Sequence, residues 1–130
     1  MTTPFWCLLI AVLIPYLLST AGGYFRIKQF GTLDNKNPRA QGAALTGLGA
    51  RVQAAQQNAW EALPVFSAAV LVAHVSGADA QKSAWAAMLF LGARVLHTAF
   101  YMANLDILRS TIFLVGLGSC IWLFVLAAQA

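Results

Sequence analysis

Four apolar stretches, separated by short polar segments, fill most of this chain. Each stretch is close to the roughly 20 residues that an α-helix needs to cross a bilayer. With helix start and stop signals included, the pattern predicts four helices, over about 5–25, 43–76, 80–103 and 107–128. The sequence therefore predicts an all-α fold, an integral membrane four-helix bundle built as one domain over residues 1–130.

Composition agrees with a membrane protein. Of the 130 residues, 60% are hydrophobic and 9% are charged, whereas soluble domains carry roughly 25% charged residues. The first apolar run lacks a preceding basic region, and at about 21 residues it is long for a signal peptide, so we expect it to be retained. The basic residues behind the net charge of +4 are concentrated next to the predicted spans. The chain has no basic stripe with interleaved aromatic residues, the pattern that would indicate nucleic-acid binding.

Glycine, proline and capping residues mark the predicted boundaries between helices. The segment Gly31–Gly49 is the one long predicted loop, and such loops often serve as lids or binding elements. Gly77 is suited to ending the second helix, and Asp79 is suited to capping the third. Pro15 and Pro64 fall inside the first two helices and should bend them.

The distribution of basic residues predicts the orientation. Five cations lie in or beside the first loop: Arg26, Lys28, Lys36, Arg39 and Arg51. The turn between the second and third helices holds only Lys82. Since basic loops stay in the cytoplasm, we expect a multi-pass protein of the inner (cytoplasmic) membrane with both termini on the opposite side.

Cysteine and histidine usage suggests neither a disulfide nor a metal site. Cys7 and Cys120 are expected at depths about 9 Å apart, which disfavours a disulfide between them. His74 and His97 also come from different depths, and no Cys/His spacing is typical of a metal site.

Polar residues interrupt the second apolar stretch. Arg51 and Asn58 lie within about 20° of each other on an ideal helix, and Glu61 lies about 60° further round. Ionisable side chains at membrane depth cost several kcal/mol unless they face protein or water. The polar face of the second helix is therefore a candidate functional site.

The third helix carries a matching polar face. Arg94, His97 and Tyr101 are spaced i, i+3 and i+7, which places them on one side of the helix. Glu61 and Arg94 both lie roughly 15 Å from the expected cytoplasmic boundary. Their matching depth predicts an ion pair inside the bundle.

These residues resemble a known pattern. Arg51, Asn58, Glu61 and Pro64 form the string R-x6-N-x2-E-x2-P, followed by the third-helix run ARVLHTAFYMANLDILRS. Together they resemble the MAPEG family, the membrane-associated proteins of eicosanoid and glutathione metabolism, in a bacterial-type form. The resemblance covers the whole chain in length, hydropathy and helix count.

The resemblance implies a homotrimer that binds glutathione between subunits near the cytoplasmic side. It implies that Arg109 is the catalytic residue, because a basic residue there stabilises the glutathione thiolate. Six further residues would form the glutathione site: Arg51, Asn58, Glu61, Arg94, His97 and Tyr101. A tripeptide with two carboxylates and an amino group suits arginines and a glutamate.

The chain also departs from the family pattern. Ala54 replaces an arginine, Ala62 replaces a common aromatic residue, and His97 stands where some members have tyrosine. Two hypotheses follow. The first is a glutathione transferase or peroxidase-like protein acting on lipophilic electrophiles in the bilayer. The second is a non-catalytic membrane scaffold that binds lipid or a partner on the same fold.

Overall fold

Four long helices and one short helix make up the computed structural model, which describes all residues from Met1 to Ala130. In chain order, the helices are α1 Thr3–Phe30, α2 Pro38–Ala43, α3 Gly47–Val75, α4 Ala80–Met102 and α5 Asp106–Ala128. The four long helices are each apolar enough to cross a membrane. The predicted all-α membrane bundle is confirmed, and the chain is a multi-pass integral membrane protein.

Helices α3 and α4 form the centre of the bundle, because each of them contacts all three of the other long helices. The rings of Phe66 and Phe90 stack in the core with centroids 3.8 Å apart. Closer to α2, Gly49 lets α1 approach α3, since a Cβ there would lie 3.0 Å from the Cβ of Phe25. Close backbone approach of this kind is how helices associate in lipid.

The helix ends follow local signals. The Asp79 side chain accepts a hydrogen bond from the Lys82 backbone N–H at 2.8 Å and caps α4. Gly77 follows α3 with a φ of +76°, and Asn104 follows α4 with a φ of +59°. Helix α1 continues beyond the expected residue 25 because Gly31 supplies the left-handed conformation that ends a helix.

The segment between α1 and α3 is more ordered than the predicted loop, since it contains α2. Gln29 donates from Nε2 to the Ala44 carbonyl at 3.1 Å and accepts from the Thr46 N–H at 3.0 Å. Gln41 donates to the Thr32 carbonyl at 2.8 Å. Two glutamine side chains therefore tie both ends of this segment to the rest of the chain.

The Asp34 carboxylate orders the same segment locally. It accepts hydrogen bonds from the backbone N–H groups of Lys36 and Asn37, each at 3.0 Å. The hydrogen bond from Asn37 is the main reason that the pKa of Asp34 lies below its ordinary value of 3.8. The ionised Asp34 carboxylate therefore stabilises this turn at neutral pH, and that stabilisation is lost as the pH falls through the lowered pKa.

Topology is testable with two new cysteines. Asn35→Cys, in the exposed segment after α1, should react with an impermeant thiol reagent only after the cytoplasmic face is opened. Ala130→Cys should react from the outside, because both positions are exposed and the basic segment is expected in the cytoplasm. Native Cys7 and Cys120 are buried and free, so the unmodified protein is the blank. Labelling in the opposite order would reverse the orientation.

Candidate functional site

Arg94 is buried in the bundle and takes its partner from α3. Only 5% of its surface is exposed, and its Nη2 donates to Asn58 Oδ1 at 2.7 Å. The predicted ion pair with Glu61 is wrong, because Arg94 has Asn58 as its partner and Glu61 is exposed on the bundle surface. Glu61 lies about 60° from Asn58 around α3, and the acceptor that Arg94 uses is Asn58.

A polar cavity of about 390 Å³ opens between α3, α4 and α5. It is lined by seven residues: Asn58, His97, Tyr101, Arg109, Ser110, Phe113 and Leu114. Four of the predicted site residues thus meet in one space. Its volume falls within the range of roughly 300–1,000 Å³ that is common for small-molecule sites.

Arg109 is positioned in this polar cavity by an aromatic ring. Its guanidinium carbon lies 4.5 Å from the centroid of the Tyr101 ring. A cation–π contact of this kind fixes a cation through the face of the ring, and it leaves the N–H donors of Arg109 available. The arrangement suits the binding of a carboxylate or a thiolate.

His97 lines the same cavity and has an unsatisfied atom. Its side chain is only 3% exposed, and its Nδ1 is buried without a hydrogen-bond partner. The ring packs edge-on against Tyr101, with centroids 5.7 Å apart. Leaving a buried polar atom unsatisfied costs about 1–3 kcal/mol. A ligand that hydrogen-bonds to His97 Nδ1 would remove this cost.

A smaller, mainly apolar cavity of about 180 Å³ adjoins the polar cavity. Its ten lining residues are Asn58, Glu61, Ala62, Val65, Phe90, Arg94, Phe113, Gly116, Leu117 and Cys120. The two cavities share Asn58 and Phe113. A polar molecule in the first and an apolar molecule in the second would therefore lie side by side.

Arg51 lies apart from both cavities. Its Nε donates to the backbone carbonyl of Met102 at 3.0 Å, at the last residue of α4. Carbonyls at a helix C-terminus have no partner within the helix, and a cation there is favoured by the helix dipole. Arg51 therefore joins α3 to the end of α4.

The contribution of α5 beyond Arg109 was not predicted from the sequence. Ser110 lines the polar cavity, and Phe113, Gly116 and Leu117 line the apolar one. The last three residues are spaced i, i+3 and i+4, the periodicity of one helix face. That periodicity was the available signal, but an apolar face on a spanning helix also fits ordinary packing.

Comparison with known proteins identifies one family. The MAPEG family model matches residues 3–129, which is nearly the full chain. No protein of curated function and no solved structure gives a significant match.

Proposed function

The chain belongs to the MAPEG family, and from this premise we propose that it is a membrane-bound glutathione transferase or peroxidase-like enzyme acting on lipophilic electrophiles. The observation that supports the proposal best is the pair of adjoining cavities. One is lined by Arg109, His97 and Tyr101, and the other is mainly apolar. A water-soluble thiol and a lipophilic partner need two such compartments in contact.

In this proposal glutathione occupies the polar cavity. Arg109 lies next to the sulfur and favours the thiolate, while His97 and Asn58 hydrogen-bond to the peptide. The Tyr101 ring holds Arg109 in place through the cation–π contact at 4.5 Å. A thiol must ionise before it attacks an electrophile, so a cation at this point supplies the main chemical assistance.

The chemistry needs only glutathione and the electrophile. With an activated aryl chloride, the thiolate sulfur forms a bond to the ring carbon, and chloride leaves with the bonding electron pair. The thiol proton has already passed to solvent. With a hydroperoxide, the thiolate attacks the terminal oxygen, the O–O bond breaks, and the alkoxide leaves and takes a proton from solvent to become the alcohol. A second glutathione then converts the resulting sulfenic acid to the disulfide and water.

We also propose that the site is completed by other copies of the chain in a homotrimer. Glu61 is exposed on the single protomer although it lies inside a spanning helix. A carboxylate facing lipid is costly, so a neighbouring subunit is the favoured cover. In such an assembly Arg51 and Glu61 can reach glutathione bound against the adjacent protomer, on the side that we place in the cytoplasm.

A non-catalytic scaffold is the competing function, and Ala54 favours it. Family enzymes have an arginine at this position, so one cation for the ligand is missing. Glutathione titration of the purified protein, extended to millimolar concentrations, separates the two. Saturable binding together with chloride release from an aryl chloride supports the enzyme; a folded protein that binds none supports the scaffold.

Ala62 should determine how large an electrophile fits. It lines the apolar cavity, so Ala62→Phe would fill that space with an aromatic ring. We expect kcat/KM for a bulky apolar electrophile to drop by at least roughly tenfold, with glutathione affinity unchanged. Ala68→Phe, at an exposed position on the same helix, is the matched control. Equal losses in the two variants would show that the cavity does not hold the electrophile.

A further inference from the structure

The opposite end of the bundle contains a buried hydroxyl with no partner. Ser83, in the first turns of α4, is only 6% exposed, and its Oγ makes no hydrogen bond. Five other helical hydroxyls donate to the carbonyl four residues earlier: Thr20, Ser67, Thr98, Thr111 and Ser119. The Ser83 hydroxyl lacks this usual arrangement, and buried hydroxyls normally have a partner.

Ser83 lines a cavity of about 280 Å³ at the end of the bundle that carries both termini. Ten residues line it: Thr2, Pro4, Val70, Ala73, His74, Gly77, Ala78, Ala80, Ser83 and Leu123. The exposed His74 ring packs edge-on against Phe5, with centroids 4.8 Å apart. The space is thus mainly apolar, with a hydroxyl and an imidazole as its polar side-chain groups besides Thr2.

We propose that this cavity binds a small neutral amphiphile, a single-ring phenol or short alcohol that partitions into the bilayer. Its hydroxyl would pair with Ser83, and its apolar body would fill the space against Val70 and Leu123. We infer that the ligand is neutral because the residues that line the cavity include no Lys, Arg, Asp or Glu. Size follows from the volume, since a cavity of about 150 Å³ already accepts benzene.

The site is independent of the proposed glutathione chemistry. None of its lining residues belongs to the polar or the apolar cavity near Arg109. A rotation about the one side-chain torsion of Ser83 reorients its hydroxyl without moving the backbone. Occupation of this end of the bundle therefore needs no change at the other end.

The two histidines of the chain provide a reporter for each site. His74 lines this cavity and His97 lines the polar one, and the sequence contains no other histidine. In protein labelled only at histidine and reconstituted in lipid nanodiscs, 4-fluorophenol should shift the His74 imidazole resonances in a saturable manner. The His97 resonances should stay in place. Fluorobenzene, which lacks the hydroxyl, should bind about tenfold more weakly, the equivalent of one hydrogen bond.

Two serine variants test the role of the hydroxyl. Ser83→Ala should remove the preference for 4-fluorophenol over fluorobenzene. Ser119→Ala is the matched control, because Ser119 is also buried but donates to the Val115 carbonyl at 2.8 Å; it should keep the preference. If Ser83→Ala cannot be purified, the wild-type His74 titration decides alone. No saturable shift of His74, a shift of His97 instead, or equal affinity for the two probes would overturn the proposal.

Discussion

Asn58→Leu should lower the free energy of unfolding by about 3 kcal/mol. The substitution removes the acceptor that Arg94 uses at 2.7 Å. Because only 5% of the Arg94 residue is exposed, its charge is then buried without a partner. Removing one partner from a buried charge costs more than the contact itself contributes, because the charge remains desolvated. Unfolding in detergent, followed by circular dichroism, measures the change.

A double-mutant cycle identifies the partner of Arg94. Asn58→Leu/Arg94→Met should recover most of the lost stability, because no charge is then left buried. Gln57→Leu is the control, since Gln57 is an exposed amide one residue earlier and should have little effect. Strong coupling of Glu61→Gln to Arg94→Met, with none for Asn58, would contradict the observed contact and restore the ion pair predicted from depth.

Arg109→Ala should reduce turnover of an aryl chloride by about 10²–10³-fold, the usual cost of removing one group that stabilises a developing or resident anion. The loss should appear mainly in kcat at saturating glutathione, because Asn58 and His97 still line the polar cavity. Arg109→Lys should retain part of the activity, since the charge remains but the planar fork does not.

Arg39→Ala is the control for the loss of a positive charge. Arg39 lies in α2, is exposed and lines neither cavity near Arg109. Its removal should leave kcat close to that of the wild type. A similar loss in both variants would mean that the net charge of the protein, and not the position of Arg109, governs the reaction.

The sequence was sufficient for features that depend on local physics. Span length and hydropathy identified the four long helices, and Asp79 and Gly77 marked real helix boundaries. The polar faces of α3 and α4 were also recognisable, because membrane depth makes each polar residue conspicuous. Three of those residues, Asn58, His97 and Tyr101, do line one cavity together with Arg109 of α5.

The sequence was insufficient where side chains choose between partners. The matching depths of Arg94 and Glu61 along their helices allowed an ion pair between them, but Arg94 hydrogen-bonds to Asn58 instead. Helix α2 was missed because its six residues carry no apolar periodicity, and glutamine side chains hold that segment in place. The apolar lining from Phe113 and Gly116 resembles ordinary packing in sequence and becomes a cavity wall only in three dimensions.

The central claim is that Arg109 holds a glutathione thiolate in the polar cavity, and ultraviolet absorbance measures this directly. A thiol with a pKa near 8.5 is mostly protonated at neutral pH, so wild-type protein with millimolar glutathione should show thiolate absorbance in excess of free glutathione. Arg109→Ala should abolish the excess while some glutathione stays bound, and Arg39→Ala should retain it. Bound glutathione with the same absorbance in wild type and Arg109→Ala would contradict the claim.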